Sequence, residues 1–194
     1  MQGGWSFDNE DAWSVGINPE DHRNFLNSFY TGSFKGSFAS GVPFQRNLDT
    51  GDMRVSGTMA SLAGLEQALV ADDALLIEMA LRRIRMLYGV LCSIGGIPLI
   101  FLGEEWGMLN DYDYLADLEK KEDSRWVHRP KMNWALLKDL KKKKRSPRVR
   151  IFRDIQMLFE RRKNCPAFTG SQMRLLHTDN PYVISFLRWN EGFR

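Results

Sequence analysis

The feature that most limits how this chain can fold lies in its middle. A helical pattern runs from Ala74 to about Ser93, with apolar Leu76, Met79, Ala80, Ile84, Leu87, Val90 and Leu91 at helical spacing. Asp72 or Asp73 stands where an N-cap is needed, and Gly95–Gly96 stops the helix. The continuous apolar run Ile97–Leu102 follows at once. A helix, a tight turn and a short apolar run predict a parallel strand covered on both faces. A single strand cannot make a sheet, and the sequence offers no second parallel strand of this kind. The chain therefore reads as part of something larger.

The flanking segments are consistent with that. In "INPEDHRNFLNSFYTG", Asn18 is positioned to cap a helix that Pro19 opens, Glu20 and Asp21 favour its positive end, and Gly32 ends it. Phe25, Leu26 and Phe29 fall on one face of it. A long glycine- and serine-rich loop follows, with a hairpin expected around Pro43–Phe44 and Arg54–Val55. Loops of this length in a compact protein are usually functional or disordered, and Phe34, Phe38 and Phe44 argue against disorder. "TMASLAGLEQAL" predicts one further helix. Ser146 and Pro147 open an amphipathic helix to about Asn164, and beyond Pro166 two strand-like runs flank a "DNP" turn.

Composition excludes several classes. Of 194 residues 43% are hydrophobic, so a packed core is possible, and six Trp and twelve Phe supply large apolar area. The net charge of +3 is concentrated in "KDLKKKKRSPRVR", Lys138 to Arg150. No aromatics interleave that run, which favours a solvated linker over nucleic-acid binding. Cys92 and Cys165 have no metal or disulfide spacing, which suits a reducing compartment. The first residues lack a signal-peptide pattern, and no apolar run reaches ~18 residues, so a cytoplasmic protein with no membrane partner is expected. His22, His128 and His177 share no ligand spacing, and "NDYDY" around Asp111 and Asp113 lacks the glycine and distal glutamate of a calcium loop. No metal site is expected.

"GGIPLIFLGEEWG" resembles the last-strand signature of the α-amylase superfamily, through Gly96, Pro98, Phe101, Gly103, Glu104 and Glu105. "GWSFDNEDAW", "DHRNFLNSFYTGSFKGSFASGVPFQRN", "TGDMRVSGT", "LNDYDY" and "EDSRWVHRP" narrow the resemblance to the amylosucrase family, over nearly the whole chain. These enzymes are sucrose-dependent glucosyltransferases.

The resemblance implies an α/β fold: an incomplete TIM (β/α)8 barrel, with its last strand and helices, an inserted loop and helix subdomain, and the start of a C-terminal β domain. Its divisions would be 1–15 for the end of the strand-seven region, 16–58 for the subdomain over the active-site mouth, 59–165 for the closing barrel, and 166–194 for the truncated β domain. A whole barrel needs ~250 residues.

Retaining glycoside chemistry needs two carboxyl groups. The resemblance places the family's nucleophile and acid/base on strands that precede Met1. The stabilising Asp of the strand-seven run is also unmatched, since Met1, Gln2 and Gly3 precede the conserved-type Gly4–Trp5 pair. A truncated reading frame, a gene fragment or an internal start is the expectation, with no catalytic residue and no cofactor.

Three arginines match substrate-contacting positions of the family. Arg125 corresponds to the residue that closes the glucosyl pocket with an upstream Asp, Arg54 to a contact of the fructosyl or acceptor ring, and Arg23 to a position further along the acceptor channel. The implied partners are sucrose and an α-glucan or maltooligosaccharide. A sucrose hydrolase, or a non-catalytic α-glucan-binding fragment, are the alternative readings. Glu104 and Glu105 match none of the catalytic acids and are expected to hold the loop after the strand.

Overall fold

The computed structural model describes residues 2–3, 5, 7–48, 51, 53–136, 138 and 146–190. Its helices begin where capping chemistry places them. Asp8 caps α1 (Asn9–Ser14), and the Asn18 side chain accepts from the Glu20 and Asp21 amides to start α2 (Pro19–Tyr30). Asp73, of the two candidate caps, accepts from Leu75 and Leu76 at 2.8 and 3.0 Å and opens α5 (Ala74–Ser93). Ser146 caps α6 (Pro147–Lys163).

The single helix expected from "TMASLAGLEQAL" is two: α3 (Met59–Leu62) and α4 (Leu65–Val70). Gly64 between them has φ +93°, a left-handed conformation that breaks the helix. A Cβ there would also press on Arg83 and Phe38.

The core lies where α3, α4, α5 and α6 meet. Met59, Ala63, Leu65, Ala80, Leu81, Ile84, Tyr88, Ile151 and Ile155 form its buried cluster. Along α5 the buried stripe is Ala80, Ile84, Tyr88 and Cys92, spaced by four, with Leu81 beside it. The same helix carries further apolar residues beside this stripe, and of these Leu76, Met79, Leu87 and Val90 are exposed. Its pattern therefore encodes a broad apolar surface, of which part is covered in this chain.

Arg150 reaches from α6 to Glu78 of α5 at 2.6 Å, and Arg82 meets the other oxygen of the same carboxylate at 3.0 Å. At the far end Arg162 donates to the carbonyls of Cys92, Ile94 and Gly96 at 2.6, 3.0 and 2.6 Å. A cation at a helix C-terminus, bonded to its orphan carbonyls, anchors the turn after α5.

Ile97–Leu102, expected as a covered parallel strand, belongs to neither sheet of the structure. From Ile97 to Phe101 its residues nonetheless alternate, and Leu102 is exposed as well. Ile97, Leu99 and Phe101 are 87, 82 and 52% exposed, while Pro98 and Ile100 turn inward and Ile100 packs on the core. The segment has the two-sided apolar composition of a central strand and no neighbour to pair with among the described residues.

The sheets that do form are small and antiparallel. β1 (Gln2–Gly3), β3 (Arg54–Ser56) and β2 (Val42–Phe44) lie in that order. Pro43 faces Val55 and Phe44 faces Arg54, so the expected hairpin is present. β4 (Met173–Leu176) and β5 (Ser185–Arg188) form a second hairpin around the "DNP" turn. No closed barrel occurs among the described residues. Among them no helix is long and apolar enough to cross a membrane. Most of the basic run, including residues 139–145, lies outside the described residues.

Candidate functional site

The hairpin β2–β3 carries the first part of the site. Cross-strand pairing sets Arg54 opposite Phe44. The 3₁₀ turn Ser124–His128, far away in sequence, packs on both strands. Ser124 Oγ donates to the Pro43 carbonyl at 2.7 Å and fixes the turn against the hairpin. Arg125 then lies with its Cζ 5.1 Å from the Phe44 ring centroid. Arg54 and Arg125 thus both neighbour Phe44, Arg54 as its backbone ladder partner and Arg125 with its guanidinium against the ring. The sequence places Phe44 in the expected hairpin and among the aromatics that argue against disorder, and the fold makes it the shared element.

Arg125 is matched by a carboxylate within its own turn. Its Nε and Nη2 donate to the two oxygens of Asp123, each at 2.7 Å. Asp123 also caps the turn through the Arg125 amide at 3.0 Å. The guanidinium holds the Asp123 carboxyl below the ordinary range, and the carboxylate raises the Arg125 pKa in turn. The Arg125 side chain is 41% exposed, and exposed pairs contribute little because solvent screens them. The pair is therefore weak enough to open toward a ligand. The family resemblance places the Asp partner upstream, whereas here the partner is two residues away in "EDSRW". The sequence signal for Asp123 was present, but it resembles ordinary capping.

Asn110 clamps both ends of the hairpin. Its Oδ1 accepts from the Thr58 amide at 2.8 Å, just after β3, and its Nδ2 donates to the Ser40 carbonyl, just before β2. Its own amide donates to Ser61 Oγ at 2.9 Å. Nothing in the sequence singled out Asn110, because its partners lie 49 to 70 residues away.

Arg23 is placed differently. Its Nε donates to the Trp5 carbonyl at 3.2 Å, and its Nη2 to the Phe7 carbonyl and Asn9 Oδ1 at 3.3 and 2.6 Å. Its Cζ lies 4.5 Å from the Phe7 ring centroid. These bonds tie the N-terminal stretch to α2, and Trp5 continues the tie through its indole N–H to Asn27 at 2.7 Å. Among the described residues no contact joins Arg23 to the Arg54–Arg125 pair.

The adjacent glutamates hold backbone. Glu105 accepts from the Gly103 amide at 2.8 Å, and Glu104 accepts from the Met59 amide at 3.3 Å and the Tyr88 hydroxyl at 3.2 Å. Burial, and then the Glu104 charge, push the Tyr88 hydroxyl pKa far up, so it stays a donor. The glutamates therefore bind the loop after residue 102 to α3 and α5.

His128 follows the arginine turn, edge-on to Phe101 at 6.4 Å between centroids. Burial holds it neutral, with its pKa lowered to about 4. Among the described residues no cluster of three His, Cys, Asp or Glu could hold a metal ion. No family model matches the chain.

Proposed function

We propose that this chain is the closing part of an amylosucrase-like (β/α)8 enzyme, whose parent activity transfers glucose from sucrose to an α-glucan and releases fructose. The observation that carries the reading is the shared neighbour Phe44. Arg54 and Arg125, which the family resemblance assigns to neighbouring sugar rings, both come to neighbour Phe44 across 71 positions of sequence (125 − 54), Arg54 through the strand ladder and Arg125 against the ring. Planar guanidinium groups offer several directed donors to hydroxyls, and an aromatic ring beside Arg125 suits the apolar face of a sugar.

The barrel reading is supported by the unit α5, Ile97–Leu102, α6. It has the order helix, apolar segment, helix, with the outward face of the segment and part of the apolar surface of α5 uncovered. Neighbouring barrel strands and helices would cover both. The β4–β5 hairpin is the proposed start of the C-terminal domain, and the compartment is the cytoplasm. Sucrose and an α-glucan or maltooligosaccharide are the partners.

No position of the sequence matches the family's nucleophile or acid/base, so the reading assigns the isolated chain no turnover. Incubated with sucrose, the purified 194-residue chain releases no fructose above a blank, and release would overturn the assignment. Maltoheptaose titration tests the site itself: weak binding that Arg125→Ala and Arg54→Ala each abolish is expected. Binding untouched by both substitutions would remove these arginines from the site. A sucrose hydrolase as parent is separated by its products, free glucose in place of glucan.

A further inference from the structure

Arg83 of α5 is a half-buried guanidinium with no carboxylate paired to it among the described residues. Its Nε donates to the Ala63 carbonyl at 2.8 Å, and its Cζ lies 3.8 Å from the Phe38 ring centroid. Burial lowers its pKa, and no neighbouring charge acts against that. Beside it opens a cavity of about 510 Å³, whose other walls include Trp5, Tyr30, Met59, Leu62, Met86 and Leu87. That volume is within the ~300–1,000 Å³ of small-molecule sites. Met86 and Leu87 form an exposed rim, at 59 and 39%.

The two properties together select a ligand. A cation partly withdrawn from water favours an anion, because an unpaired charge in apolar surroundings is costly. The remaining walls are apolar side chains and aromatic rings, which favour a hydrocarbon body. We propose that the Arg83 cavity binds a free medium-chain carboxylate, its head group accepting from the Arg83 guanidinium and its acyl chain lying between Met59, Leu62, Met86 and Leu87. This site shares no residue with the Arg54–Phe44–Arg125 cluster.

The test uses the full chain, with decanoate and decyltrimethylammonium as probes of similar tail and opposite head charge, both below their micellar concentrations. Calorimetric titration is expected to give one decanoate per chain, bound at least about tenfold tighter than the cation, the effect of a charge-assisted hydrogen bond. Arg83→Gln brings decanoate down to the level of the cation. Met86→Glu, at the exposed rim, sets a like charge at the mouth and weakens decanoate without disturbing the core. It decides the matter if Arg83→Gln fails to fold. Equal binding of the two probes, or decanoate binding unchanged in a folded Arg83→Gln or Met86→Glu chain, overturns the proposal. So does sedimentation showing a dimer that excludes decanoate, since a second copy would then fill the groove.

Discussion

Replacing Asn110 by alanine should loosen the hairpin that presents Arg54, while leaving the helical core intact. The magnitude follows from the bonds removed. Thr58, 1% exposed, loses the acceptor for its amide, and stranding a buried donor costs ~1–3 kcal/mol. The Ser40 carbonyl loses its Nδ2 donor, a net ~0.5–1.5 kcal/mol. The bond to the Tyr112 hydroxyl, at 3.2 Å and exposed, adds little. The sum is ~1.5–4.5 kcal/mol, borne locally, because none of these partners belongs to the α5–α6 contact. Native-state hydrogen exchange reads it directly. Ladder amides of β2 and β3 should lose protection by between ~10-fold and ~2,000-fold, while those of α5 between Ala80 and Tyr88 change by less than ~2-fold. Equal loss in both regions would mean that Asn110 supports the whole core. Hairpin protection within ~2-fold of the parent chain would mean that the clamp contributes under ~0.5 kcal/mol and that cross-strand pairing alone positions Arg54.

Two pH dependences follow from groups outside that clamp. Glu78 is held at about 2, against an ordinary 4.5, first by Arg150 and then by Arg82. A depressed carboxylate contributes stability that is full above ~pH 4.5 and lost as pH falls toward ~2. Thermal melts of the parent chain and Glu78→Gln should therefore differ by a constant amount above pH 5 and converge near pH 2. Convergence already at pH 4 would show that the α5–α6 bridge does not form. His128 is lowered to about 4, first by burial, with Arg129 adding to it. Its neutral form is the folded one, so its contribution is full above the ordinary ~6.5 and is lost between there and ~4. Nuclear magnetic resonance titration of the His128 ring should give a midpoint near 4, and a midpoint near 6.5 would place the ring in solvent.

Local chemistry was legible in the sequence, and long-range pairing was not. Asn18, Asp73 and Ser146 were readable as caps because a cap involves only the next three residues. The Gly64 break was missed because a lone glycine in a helical pattern does not announce a left-handed φ. Ile97–Leu102 shows a different limit. Its composition is that of a covered strand, yet strand formation depends on neighbours, and the described residues supply none. For α5 the helical spacing was legible, but not which apolar positions would be covered: Ala80, Ile84 and Tyr88 are buried and Leu76, Met79, Leu87 and Val90 are not.

The three arginines sharpen the point for the candidate site. All were singled out by one argument, yet their donors are used in different ways. Arg23 directs Nε and Nη2 at the chain's own carbonyls and at Asn9. Recruiting it to a ligand would release the N-terminal stretch, so substitution there would act on stability before it acted on binding. Arg125 directs its donors at a single, partly exposed carboxylate, which a polyhydroxyl ligand could displace at little cost. Arg54 is exposed on the hairpin as the ladder partner of Phe44. The physical ranking for ligand contact is therefore Arg54 and Arg125 ahead of Arg23. It follows from what the guanidiniums bond: Arg23 is held by two backbone carbonyls and Asn9, Arg125 by the Asp123 carboxylate alone.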